Sequence, residues 1–86
     1  MLHLVTYDLH KPEKDYPKLF EAIRCYNWAH PLGSVWLINT SKSVSEVARY
    51  LQQFIDGNDS LIVTGVNAWD MVNINQEVLS WLKNVY

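Results

Sequence analysis

Apolar residues in this chain recur at alternate positions in some stretches and at spacings of three and four in others, and the switches between the two mark out its elements. Residues 2–8 (Leu2-His3-Leu4-Val5-Thr6-Tyr7-Asp8) place Leu2 and Leu4 on one side and Val5 and Tyr7 on the other. They read as a short strand whose two faces are both apolar and both need cover. The breaker-rich run 10–14 follows as a loop. Tyr16, Leu19, Phe20 and Ile23 then share a helical stripe, which predicts a helix capped by Asp15, with Pro17 in its first turn and an end near Tyr26 or Asn27.

Residues 28–32 form a weaker strand interrupted by Pro31, and Gly33 turns the chain into a stronger strand over 34–39, as a hairpin or a kinked strand. Ser43 followed by Glu46 is a capping box, and Val44, Val47, Ala48, Leu51, Phe54 and Ile55 make the second helical stripe, with Gly57 where a C-cap is wanted. Asn58 and Asp59 turn into a further apolar strand over 61–66. Asn73 or Asn75 then opens a last helix with Val78, Trp81, Leu82 and Val85 inward. The resulting order is the βαββαβ pattern of an α+β, ferredoxin-like sandwich with an added C-terminal helix, one domain spanning 1–86. Two helices cover one sheet face. The other face requires the last helix, a second subunit, or both, so the apolar strands predict a homodimer.

Composition narrows the function. With 86 residues, 49% hydrophobic and 19% charged, and only three Gly and three Pro, the chain has the makeup of a folded domain. Its net charge of −2 argues against a grip on nucleic acid made mainly through phosphates. Cys25 is the single cysteine, so there is no internal disulfide. No apolar run approaches the roughly 18 residues of a membrane helix. The chain enters its first strand without a signal-like apolar core, and a cytoplasmic location is expected. There is no glycine-rich phosphate loop, CxxC pair, HExxH helix or GxSxG elbow, which sets aside ATPase, zinc-protein and serine-hydrolase chemistry.

A set of residues along nearly the whole chain carries a resemblance. Tyr7-Asp8-Leu9 with Lys11-Pro12, Tyr16, Leu19, Ala22-Ile23, Trp28-x-His30, Ser34-x-Trp36-Leu37-Ile38, Asn58-Asp59, Ala68-Trp69 and Trp81-Leu82-Lys83-Asn84 together resemble the SinR family of small bacterial and phage proteins. That family is related to the small CRISPR-associated Cas-two proteins and, more distantly, to VapD. The resemblance implies a ferredoxin-like dimer, and for the Cas-two relatives a metal-dependent nuclease. In those relatives an aspartate ending the first strand meets its dimer mate and holds a divalent cation, and Asp8 matches that position. Mg²⁺ or Mn²⁺ is the implied cofactor, since a hard cation that keeps its waters needs few oxygen ligands. Ser34-Val35-Trp36 resembles their Ser-Val-Phe segment. The arginine-rich stretch that often follows their aspartate is replaced here by Leu9-His10-Lys11-Pro12-Glu13-Lys14.

Two function classes follow. In the first, the chain is a homodimeric nuclease acting on RNA or DNA, with paired Asp8 holding the metal and His10, His30 or Ser34 orienting water or phosphate. In the second, it is a noncatalytic dimer acting in phage–host conflict or regulation, binding a protein or a nucleotide-like ligand through Trp28 and Trp69, the tryptophans expected to be partly exposed. Each residue also has a purely structural reading. A strand-end Asp commonly bonds its own loop. Tyr16 and Trp81 lie on helical apolar stripes and are expected in the core, while Trp36 alternates within a strand and is expected to pack under a helix or at a dimer seam. Cys25, on the polar side of its helix, has no neighbouring base to activate it. Lys11, Lys14, Lys18 and Arg24 are balanced by Glu13, Asp15 and Glu21 as a solvated face.

Overall fold

A computed structural model describes residues 1–85. Its elements are β1 (Leu2–Asp8), a single 3₁₀ turn (Glu13–Asp15), α1 (Pro17–Ile23), β2 (Asn27–Leu32), β3 (Val35–Asn39), α2 (Val44–Gln52), β4 (Ser60–Gly65) and α3 (Gln76–Val85). The strands form one sheet in the order β2-β3-β1-β4, and every neighbouring pair is antiparallel. This is the ferredoxin-like α+β arrangement with a third helix appended. No helix among the described residues is long and apolar enough to cross a membrane.

Register divides the side chains between the faces. Val5 stands opposite Trp36 on β3 and Val63 on β4, and Tyr7 opposite Leu61. With Ile38 these residues meet Leu19, Ala22 and Ile23 of α1 and Val47 and Leu51 of α2 in the main core. His3 lies on the same side of β1 and is buried, its Nε2 donating to the Lys42 carbonyl at 2.8 Å and so tying β1 to the loop before α2. A smaller core on the opposite face joins Leu2, Ala29 and Leu37 to Val78 and Leu82 of α3, with Leu4, Met71 and Ile74 packed at its margin. The cover that α3 supplies is partial. Beyond it the second face continues as Thr6 and Asp8 on β1, Val35 on β3 and Ile62 on β4, with Ile62 60% exposed.

Local chemistry explains where the elements begin and end, including several departures from the periodicity. The capping box forms as expected: Ser43 Oγ accepts from the Glu46 N–H at 3.1 Å, and Glu46 Oε1 from the Ser43 N–H at 3.2 Å. Asp15 does not cap α1. It is consumed by the 3₁₀ turn, its N–H bonded to the Pro12 carbonyl at 2.9 Å, and Tyr16 takes the cap position before Pro17. α1 ends at Ile23, short of Tyr26, and α2 at Gln52, so Phe54 and Ile55 reach the main core from the following turns. Gly57 is not a C-cap, because α2 closes on Gln53 in a right-handed conformation and no glycine has positive φ. Of the two asparagines proposed to open α3, Asn75 does so, its Oδ1 accepting from the Glu77 N–H at 2.7 Å. Asn73 instead adopts the left-handed conformation (φ 58°) that asparagine tolerates. Pro31 sits on edge strand β2, where the register shifts between Ala29 and Leu32 and a missing N–H does little harm.

Candidate functional site

Asp8 ends β1 opposite Ser60, with its carboxylate exposed. That carboxylate makes no hydrogen bond or ion pair with any described residue. A cleft of about 320 Å³ opens beside it, lined by Tyr7, Asp8, Lys11, Glu13 and Ser34 among others. The antiparallel pairing of β1 and β3 produces this meeting, because Thr6 lies opposite Val35 and its Oγ1 donates to the Ser34 carbonyl at 2.8 Å. Tyr7 fixes the floor: its hydroxyl accepts from Trp36 Nε1 at 3.0 Å and lies 3.3 Å from Glu13 Oε2 and 3.2 Å from the Gly33 carbonyl. Burial, followed by the nearby Glu13 carboxylate, pushes the Tyr7 phenol up, while the Trp36 bond pulls it down. The phenol therefore serves as a fixed donor.

His10 points elsewhere. Its Nδ1 lies 2.5 Å from Asp59 Oδ1, its own backbone N–H donates to the same oxygen at 2.9 Å, and the Tyr16 hydroxyl donates there at 3.0 Å. The other oxygen of Asp59 accepts from the Asp56 N–H at 2.7 Å. Desolvation raises the Asp59 carboxyl, but the bonds from His10, Asp56 and Tyr16 outweigh it and hold the group well below the usual carboxylate range. Tyr16 shows the converse, pushed up to about 12 by burial and by the Asp59 carboxylate it serves. Asp56 completes the cluster, 3.6 Å from His10 Nε2 and 3.3 Å from Lys11 Nζ.

His10, Asp56 and Asp59 offer ligand atoms within 4.8 Å of one another. They do not fit a resident cation, since Asp59 Oδ1 is already shared among three donors and Asp56 faces Lys11. Asp8 fits better, because its oxygens are free of protein donors and Mg²⁺ takes one or two carboxylates while retaining water.

His30 is also committed. It stacks on Trp36 with ring centres 3.7 Å apart and planes 11° apart, and its Nε2 donates to the Gly33 carbonyl at 3.0 Å. Trp36 continues the stack to Phe20 and is core, as is Tyr16. Trp81 is only half-buried, its Nε1 bonded to Asn27 Oδ1 at 2.8 Å. Trp28 and Trp69 are exposed at opposite sides of the sheet: Trp28 lies on edge strand β2, whereas Trp69 lines a cleft with Gly65 and Val66 at the end of β4. Of the residues singled out from sequence, Asp8 and Ser34 thus share a cleft, while His10, His30, Trp28 and Trp69 are placed apart from it. Asp59 was read as a turn residue and as part of the resemblance, with no site role, and no local pattern could have joined it to His10 across 49 positions.

No family model matches the chain. Among solved structures it is similar to the hypothetical protein TT1823 from Thermus thermophilus, with a TM-score of 0.65 and 22% sequence identity. The match covers 83% of this chain and 87% of that one. At this identity the likeness is one of fold alone.

Proposed function

We propose that the chain acts as a Cas-two-like homodimer whose paired Asp8 carboxylates hold Mg²⁺ or Mn²⁺, and that it cleaves phosphodiester bonds in RNA or DNA. The observation that carries this reading is the position of Asp8, a carboxylate free of internal bonds on the same uncovered row as Thr6 and near Ile62. Leu32 and Val72, 55% and 80% exposed, extend the apolar surface around that row. A second copy closing on it would hide this surface and bring two Asp8 side chains toward one axis. A bound cation would polarise a phosphoryl oxygen and supply an activated water. The chain's own share is narrower: Asp8 supplies ligand oxygens, the Ser34 hydroxyl lines the path to them, and Tyr7 anchors the wall of the cleft. The holding of His10 by Asp59 favours a role in loop structure over proton transfer.

The test incubates single-stranded RNA, single-stranded DNA and duplex DNA with the protein in Mg²⁺, Mn²⁺ or EDTA, beside Asp8→Asn. Cleavage that needs the metal and falls at least about tenfold in the variant is expected, since even the partners that only support a metal's ligands typically cost about 10–100-fold when removed. Intact substrates under every condition would reject the nuclease.

A second reading, a noncatalytic dimer that binds a protein or nucleotide-like ligand in phage–host conflict or regulation, is favoured by charge. The net charge is −2, and Lys11, the cation lining the Asp8 cleft, is already paired with Asp56. Full binding to a partner with no cleavage, unchanged in Asp8→Asn, is its expected signature.

A further inference from the structure

The two edges of the sheet differ. β2, at one side, carries Pro31 and a register shift between Ala29 and Leu32, both of which spoil an edge for further pairing. β4, at the other side, reads Ser60-Leu61-Ile62-Val63-Thr64-Gly65, without proline or charge, and runs against β1 with no break in register from Ser60 to Gly65. We propose that the free edge of β4 pairs antiparallel with β4 of a second copy, joining the two sheets into one.

The hydrogen-bond pattern fixes which groups this edge offers. The Val66 N–H donates to the Leu2 carbonyl at 2.9 Å, so in the same register Leu4, Thr6 and Asp8 are the residues of β1 that bond to Thr64, Ile62 and Ser60. On the other side of β1 the Thr40 N–H donates to the Met1 carbonyl at 3.0 Å, which turns the backbone of His3 and Val5 toward Ile38 and Trp36 of β3. The alternation leaves the N–H and carbonyl groups of Leu61, Val63 and Gly65 pointing out of the sheet, bonded to no described residue. These residues are spaced evenly about Val63. A twofold axis beside Val63 sets it opposite the second copy's Val63 and sets Leu61 opposite the second copy's Gly65, and every such pair exchanges both N–H···O bonds. The same row then supplies both halves of the contact, as an isologous interface requires. A copy of β4 is therefore favoured over an extended segment of another protein, because the row is its own complement. The side chains agree, since Ile62, 60% exposed, comes to stand opposite the second copy's Thr64 as a β-branched pair, and no charged residue of β4 meets its like. Edge pairing extends the open face on which Asp8 lies without covering it, so it goes beyond the metal-site reading and does not depend on it.

Amide exchange followed residue by residue by NMR on the full chain at rising concentration reads this edge directly. The amides of Leu61, Val63 and Gly65 are expected to gain protection in step with a doubling of mass in sedimentation velocity. Gly65→Pro, which removes an outward donor from each copy and no core side chain, should weaken association about tenfold or more. Gly65→Ala keeps that donor, its added Cβ meets only His3 Nδ1 at 4.0 Å, and it should associate as the parent does. Protection of the β1 amides reports that each variant is folded, and cleavage plays no part in the readout. Exchange that stays fast in the pure protein up to about 1 mM chain, the weak end of specific affinity, would leave the edge to another protein's strand and overturn the proposal. A doubled mass with these amides still exchanging freely, the mark of closure through the sheet face, would overturn it as well, and so would Gly65→Pro associating as tightly as Gly65→Ala.

Discussion

Asp59 shows how much one side chain can organise in a small fold. Its two oxygens gather the loop after β1, the start of α1 and the turn before β4, through His10, Tyr16 and Asp56. A carboxyl whose folded pKa is depressed contributes stability above its unfolded value, near 4, and loses it as the pH falls below that value. Tyr16, pushed up to about 12, contributes below its ordinary value near 10 and loses that contribution as the pH rises toward 12. Asp59→Asn is therefore expected to lower the melting temperature at pH 7 and to shrink the difference between pH 7 and pH 3. Equal acid sensitivity in the two proteins would assign the acid limb to other groups. None of this was visible in the sequence, where Asp59 sits in a turn-forming Asn-Asp pair and His10 in a loop. Pairings between distant loops leave no periodic trace, so chemistry at this scale emerged only from the fold.

At the scale of elements, whatever depends on near neighbours was legible. Ser43 and Glu46 specify the start of α2 because each satisfies the other's backbone N–H, and both bonds form. Ser43→Ala should cost about 1 kcal/mol, and in a domain of this size the melting temperature should fall by about 4–8 °C. A change below 1 °C in a thermal melt would mean that water replaces the cap at no cost. The same local reasoning misplaced Asp15 and Gly57, and for one cause. A residue able to cap a helix does so only if the preceding backbone delivers it in an extended conformation, and here Asp15 is already wound into a 3₁₀ turn. Trp28 and Trp69 were rightly read as exposed, but their separation across the sheet follows from strand order, which spacing does not encode.

For the whole molecule, the need for cover on both sheet faces was readable from Leu2, Leu4, Val5 and Tyr7, while the division of that cover was not. α3 hides Leu2 and Leu37, and the Ile62 end of the face stays open. If that end is the dimer seam, Ile62→Glu should weaken association by tenfold or more, since a buried unpaired charge costs several kcal/mol. The fold should survive, because the side chain projects from the surface. Sedimentation velocity at micromolar concentration distinguishes the outcomes, and an unchanged mass would move the seam elsewhere. The strand order has a temporal consequence as well. β1 is made before the strands it pairs with yet occupies an inner position, pairing with β3 and, across more than fifty residues, with β4. Its apolar edges must wait for partners made later, and closing such long loops comes before any reward from contact, which slows folding relative to a helical chain of equal length. Until those partners are made, the unpaired apolar strand is open to association with other chains.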